Sequence, residues 1–232
     1  MANKLWDKGF KEDERIDAFT VGNDRELDHE LAPYDIMGTM AHITMLESVG
    51  LLSKEDLDKL LPVLKELYSS ACKGELYVEE DVEDIHSQIE LMLTRRLGDV
   101  GKKVHTGRSR NDQVLVDLKL YARAEIENTV HKVESLFNTL QEASERYKDV
   151  LIPGYTHLQV AMPSSFGLWF GAYAESLCDD LSIMKAAWDV VNLNPLGSAA
   201  GYGSSAPLNR TLTTVLLGFE DLDYNSVYAQ MT

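Results

Sequence analysis

From Asp112 to Asp149 the chain contains neither glycine nor proline. Within that stretch Leu115, Leu118, Ala122, Ile126, Thr129, Val133, Phe137, Leu140, Ser144 and Tyr147 recur at steps of three and four residues, the spacing of one helical seam. The pattern predicts a single long helix, and roughly 36 residues at 1.5 Å each give about 54 Å. That exceeds what a compact single-chain domain usually accommodates, so an elongated bundle is expected. A second long helix is predicted from about Ser164 to Asn192. It carries Leu168, Gly171, Ala174, Leu177, Leu181, Met184 and Trp188 on one stripe, and "NLNP" stops it. Gly167 and Gly171 would let a neighbouring backbone come close. No segment reads clearly as a strand, and the expected fold class is all-α.

Shorter helices precede these two. "SKEDLDKLLPVLKELYSSACKG" opens with Ser53 as N-cap and Asp56 three residues on, has Pro62 inside, and meets Gly74 at its end. "VEEDVEDIHSQIELMLTRRLG" reads as a helix with acids loading its first turn, Arg95 and Arg96 in its last, and Gly98 ending it. The expected organisation is an N-terminal helical domain over residues 1–104. Residues 105–232 then form the first part of a central long-helix bundle.

Composition narrows the function. Apolar residues at 44% and charged residues at 26%, without repeats or low-complexity tracts, indicate a globular chain. A formal charge of −16 disfavours nucleic acid and anionic membranes as partners, and an anionic small molecule would need a local positive pocket. No apolar run approaches the ~20 residues of a membrane span, and "MANKLWDKGFKEDER" lacks the apolar core of a secretory leader. A cytoplasmic location is expected. Cys72 and Cys178, far apart in apolar helical surroundings, are expected to be reduced core thiols.

Three connecting segments are too polar or glycine-rich for mere connection: "KKVHTGRSRNDQ" (102–113), "LIPGYTHLQVAMPSS" (151–165) and "NPLGSAAGYGSSAPLNR" (194–210). In the first, Arg108 and Arg110 flank Ser109 just before the long helix, and arginine forks at a helix N-terminus suit carboxylates. The competing structural role is a solvated cap, with Asn111 or Asp112 as N-cap and the arginines at the surface. In the second, His157 stands beside Thr156 and Gln159, with a reference pKa that allows proton transfer near neutrality. His105 and His86 are weaker candidates, His29, His42 and His131 fall within helices, and no pair has zinc-site spacing. The third segment lacks the G-x-G-x-x-G order and a preceding strand, so it is no dinucleotide fingerprint. Its N–H groups could serve a carboxylate, or its glycines could simply allow a close helix connection.

With the two long helices antiparallel, the first and third segments lie at one end of the bundle and the second at the other. About 54 Å would then separate His157 from Arg110 in one chain. Their cooperation would require another copy of the chain, hence a symmetric oligomer.

"HTGRSRNDQ", "GYTHLQ", "EDIHSQIE" and "NPLGSAAGYG" together resemble the argininosuccinate lyases of the fumarase/aspartase superfamily. The resemblance spans essentially the whole chain. It implies reversible cleavage of argininosuccinate to arginine and fumarate, without cofactor or metal, in a cytoplasmic homotetramer whose active sites draw on several subunits. It also implies that Ser109, Arg110 and Asn111 bind substrate carboxylates. Thr156 and His157 form the catalytic second-loop pair, with Gln159 nearby and Asn23 as a further substrate contact. The family's base is a serine in a later mobile loop that the sequence up to Thr232 does not contain. "GYGSSAPLNR", with Ser204 and Ser205 but no following Met or Lys, does not supply it, so this chain alone is expected to be inactive. The competing expectations are another lyase of the superfamily, such as adenylosuccinate lyase, and a non-catalytic structural protein that keeps the fold.

Overall fold

The structure, a computed structural model, describes residues 14–232. All but the last two residues of the stretch read above for a leader lie outside the described residues. In chain order the helices are α1 (Glu14–Val21), α2 (Asp24–Leu27), α3 (Ala32–Ser48), α4 (Lys54–Cys72), α5 (Ile85–Leu97), α6 (Asp99–Lys102), α7 (Arg110–Arg146), α8 (Phe166–Val191) and α9 (Arg210–Leu216). The strands are β1 (Leu151–Thr156), β2 (Gln159–Ser165), β3 (Leu193–Asn194) and β4 (Asp221–Leu222). Among the described residues β1 and β2 form an antiparallel hairpin and β3 and β4 a two-residue parallel pair. The fold is all-α. No helix among the described residues is long and apolar enough to cross a membrane.

The chain divides into two compact units. One comprises the residues up to Tyr121 together with Asn192–Thr232, the other Ala122–Val191. Residues beyond 104 thus contribute to both units. The reason is a shared core: Ala41 of α3, Val116 and Leu120 of α7, and Leu196, Leu217 and Phe219 of the C-terminal segment bury one another. A buried ion pair, Lys119 Nζ to Asp223 Oδ2 at 2.7 Å, ties α7 to that C-terminal segment.

In the first unit α3 is buried on nearly every face, from Ala32 through Ile36, Ile43 and Leu46. Such a helix is the centre of its core rather than one wall of it. α4 packs its stripe Leu57, Leu60, Leu64 and Leu67 into that core, and Ser53 Oγ caps it by accepting the Asp56 N–H at 3.1 Å. α5 starts later than its acidic flank suggests. Asp84 is the N-cap, its Oδ1 accepting the Ser87 N–H at 2.7 Å, and no acid lies in the first turn. Glu79, in the run preceding the helix, turns instead to Arg95 and Gln88. Where α6 closes on α5, a Cβ on Gly101 would stand 2.5 Å from the Leu93 backbone, so only glycine fits.

The second unit holds the rest of α7, the hairpin and α8. From Ala122 to Ser144 the seam read from the sequence is the partly covered face, with Ser144 Oγ donating to the Gly167 carbonyl at 2.7 Å, and Tyr147 at its end is exposed. A Cβ on Gly167 would meet Lys148 Cα at 2.6 Å, which bears out the close approach inferred for that glycine. In the first turns of α7 the seam fails. Leu118 is exposed, and Asp112, Gln113, Val116, Asp117, Lys119 and Leu120 face inward. Polar partners on other elements make that inward face possible, because a buried polar group is tolerated when it is paired. The cysteines also differ from expectation: Cys72 and Cys178 are free and exposed, on outward faces of α4 and α8.

The segment around His157, expected to be a loop, is the β1–β2 hairpin. Thr156 opposes Gln159, leaving His157 and Leu158 as a two-residue turn with φ of +48° and +62°. Positive φ at both turn residues is the geometry of type I′ hairpin turns, which match the strand twist. Asparagine and glycine usually supply it, and Pro153 and Pro163 lie in the paired strands, so the sequence carries no ordinary hairpin signal.

Candidate active site

The N-terminus of α7 is built by a reciprocal cap. Ser109 Oγ accepts the Asn111 N–H at 3.3 Å, the Ser109 carbonyl accepts the Gln113 N–H at 3.2 Å, and Asp112 Oδ1 accepts the Ser109 N–H at 2.9 Å. Ser109 thus stands where Asn111 or Asp112 was expected as N-cap, because its hydroxyl accepts the Asn111 N–H while the carboxylate three residues on accepts the Ser109 N–H. The other oxygen of Asp112 accepts the N–H groups of Gly197 at 2.9 Å and Ala199 at 3.0 Å. The carboxylate that the third segment binds through its N–H groups is therefore one of this chain's own.

The two arginines around Ser109 have different fates. Arg108, expected at the surface under the capping role, is buried, with Nη2 donating to Thr39 Oγ1 at 2.8 Å. Arg110 keeps its side chain 19% exposed and is held from two sides. Its Nη1 donates to Gln113 Oε1 at 3.3 Å and its Nη2 to Ser87 Oγ at 3.1 Å, while Nε lies 3.7 Å from Asp84 Oδ2. A guanidinium carries five N–H donors, so these contacts fix its plane and leave donors for a ligand carboxylate.

Beneath Arg110 lies a buried polar cluster drawn from three helices. Gln113 Nε2 donates to Asp35 Oδ1, and His86 Nδ1 stands 3.1 Å from Asp35 Oδ1 and 3.3 Å from Asp117 Oδ2. Gly38 admits α7 here, since a Cβ on it would press on Val116 at 3.1 Å and Asp117 at 3.4 Å. Burial works to raise the Asp35 pKa, but the His86 charge and hydrogen bond, Arg108 and Gln113 outweigh it and hold the carboxyl at about 2. Burial and the Asp35 charge push Asp117 well above the usual carboxylate range.

Two further histidines border this region. His42 Nε2 lies 2.8 Å from the Thr106 carbonyl, and burial, then the Arg108 charge, depress its pKa to about 3. Burial and the Arg108 and Arg110 charges bring His105 to about 4. For His42 the folded value lies below 6.5, so its stabilising contribution is complete above pH 6.5 and is lost as pH falls toward 3. By pH 4.5 that loss amounts to roughly 2–3 kcal/mol. His42→Gln keeps a donor for the Thr106 carbonyl without titrating, and is expected to flatten the acid limb by that amount. Urea unfolding at pH 7 and pH 4.5 measures it, and equal slopes in the two proteins would show that His42 is not responsible.

Of the residues singled out from the sequence, Ser109, Arg110 and Asn111 lie together at the start of α7, in the first unit. Thr156, His157 and Gln159 lie together at the hairpin tip, in the second. Asn23, in the first unit, is exposed at the start of α2, where its side chain makes no cap. His29 and His131 stand near Glu30 and Glu134 on the surface. The sequence reading missed Asp35, Thr39, Gln113 and Asp117. Their signal was available, because Asp35 with Thr39 and Gln113 with Asp117 are i,i+4 pairs that set a polar face on two otherwise buried helical stretches.

A family described as "Lyase" matches residues 8–223. A protein named argininosuccinate lyase from Parabacteroides distasonis is 67% identical over 231 residues, covering 100% of this chain and 52% of that protein. One of the same name from Thermotoga neapolitana is 38% identical over 230 residues, covering 99% of this chain and 58% of that protein. The chain spans about half the length of the curated relatives it matches. Among solved structures, an EDDS lyase variant with bound fumarate is similar at a TM-score of 0.77 and 29% identity, over 96% of this chain and 44% of that one. A fumarate lyase:delta crystallin from Brucella melitensis bound to cobalt shares the fold at a TM-score of 0.73 and 18% identity, over 89% of this chain and 51% of that one. Matched to that family over most of its length, this chain belongs to the lyase family.

Proposed function

We propose that this chain supplies the first part of an argininosuccinate lyase of arginine biosynthesis, which reversibly cleaves argininosuccinate to arginine and fumarate. The observation that carries this reading is Arg110, a pre-oriented and partly exposed guanidinium at the N-terminus of a 37-residue helix. It stands in a chain 67% identical to a relative named for that reaction. In such an elimination a base removes a Cβ proton, the Cα–N bond breaks as the carbon–carbon double bond forms, and the departing guanidino nitrogen receives a proton. Arg110, with Ser109 and Asn111, holds a substrate carboxylate and stabilises the charge that develops beside it. His157, with Thr156, delivers the leaving-group proton directly or orders the group that does. Gln159 and Asn23 are further substrate contacts.

No cofactor is invoked in this reading. Residues 105–232 form the first part of the central bundle, and the assembly is a cytoplasmic homotetramer. Its active sites are shared between neighbouring copies. The proton-abstracting serine belongs to a later loop, outside Met1–Thr232. The test joins this chain to the C-terminal remainder of the Parabacteroides relative and follows fumarate release from argininosuccinate. The completed enzyme is expected to turn over, and the 232-residue chain alone is not. Turnover by the chain alone would overturn the placement of the base. A completed enzyme that ignores argininosuccinate but cleaves adenylosuccinate would favour the other superfamily activity.

A further inference from the structure

We propose that His86 is a positioning residue for Arg110, acting from below the site without touching substrate. The inference rests on the reading of Arg110 as the carboxylate-binding group. His86 sits in the first turn of α5, with Nδ1 between Asp35 of α3 at 3.1 Å and Asp117 of α7 at 3.3 Å. Two routes lead from it to the guanidinium. Through space, Asp35 Oδ1 also accepts from Gln113 Nε2, and Gln113 Oε1 in turn accepts from Arg110 Nη1 at 3.3 Å. Along the chain, Ser87 follows His86 directly and accepts from Arg110 Nη2 at 3.1 Å. One imidazole thus stands one residue removed from two of the three groups that hold the guanidinium.

A His and two Asp with ligand atoms within 4.8 Å of one another also invite a metal reading. The surrounding charge favours the hydrogen-bonded one. The buried Arg108 already faces Asp35, Asp117 and Asp112, and a divalent cation would have to share that space with a guanidinium. A purely structural role is the remaining alternative. It would not explain why the contacts of Asp35, Gln113 and Ser87 converge on Arg110, whose side chain is partly exposed while His86 and Asp35 are fully enclosed.

The completed enzyme defined above tests this with a double-mutant cycle. Under the proposal His86→Gln, which withdraws the donor from the Nδ1 position, raises KM for argininosuccinate about tenfold and leaves kcat within about threefold. His86→Asn places an amide nitrogen where Nδ1 stands and restores KM to within about threefold of the parent. Added to Arg110→Ala, His86→Gln raises KM no further, because the group it positions is gone. Multiplicative losses in the cycle, or an Asn variant as poor as the Gln variant, overturn the inference. So does loss of folding in both His86 variants, which would make the residue structural. A parent that turns over argininosuccinate while these outcomes fail sinks this inference alone. A parent inactive on argininosuccinate sinks the proposed function, and the inference with it.

Discussion

In the completed enzyme, His157→Ala is expected to lower kcat by about two to four orders of magnitude while KM changes less than about tenfold. The size follows from the role: a group that delivers the leaving-group proton acts in the transition state, so its loss appears in kcat. The hairpin makes the experiment clean. His157 is exposed at the tip, with no hydrogen bond recorded for its side chain among the described residues, and its neighbour Leu158 is 100% exposed. Truncation should therefore leave folding nearly intact. Its φ of +48° costs strain that alanine shares, whereas asparagine tolerates that region better. His157→Asn is thus expected to be at least as stable as the parent and just as impaired in kcat. Near-normal kcat in the alanine variant would return His157 to a structural role, with the positive φ serving the turn alone.

The largest expected loss of stability is at Asp112. Its carboxylate is fully buried and accepts the N–H groups of Ser109, Gly197 and Ala199. Asp112→Ala leaves those donors unpaired at a cost of roughly 1–3 kcal/mol for each that stays dry, and a total of about 3–5 kcal/mol is expected. Asp112→Asn keeps one acceptor oxygen and is expected to lose about half as much. Urea denaturation of the three proteins decides it. A loss under about 1 kcal/mol in the alanine variant would mean that water replaces the carboxylate and that the third segment is held by its apolar contacts.

The elements most legible in the sequence were those whose signals are local. Ser53 and Gly74 bound α4 through a side-chain cap and a left-handed glycine, and both depend only on residues within a turn of the helix end. The glycine-free run that predicts α7 acts equally locally. α5 shows where local reading stops. The acids before Ile85 suit a first helical turn by charge, yet Asp84 caps the helix and Glu79 is drawn to Arg95, a residue at the far end of the helix.

The site divides in the same way. Arg110 and Ser109 were recognisable because arginine and hydroxyl groups before a long helix carry a mechanism in their order alone. His86 had no such signal, because its partners Asp35 and Asp117 lie 51 and 31 residues away in sequence and meet it only through helix packing. Arg108 and Arg110, alike on paper, separate for the same reason: Thr39 and the buried acids enclose one, and Ser87 and Gln113 present the other.

By itself, then, the sequence determined the all-α class, the long helices, the cap of α4 and the candidate groups at Arg110 and His157, since helix propensity and capping act over three or four residues. Only the tertiary structure decided that the "GYTHLQ" segment is a hairpin with two strained turn residues, that the C-terminal segment joins the first unit through Asp112 and Asp223, and that a buried histidine clamp underlies Arg110. The last two outcomes depend on burial, which strengthens hydrogen bonds and charges between groups far apart in the chain and leaves no periodic trace in the order of residues.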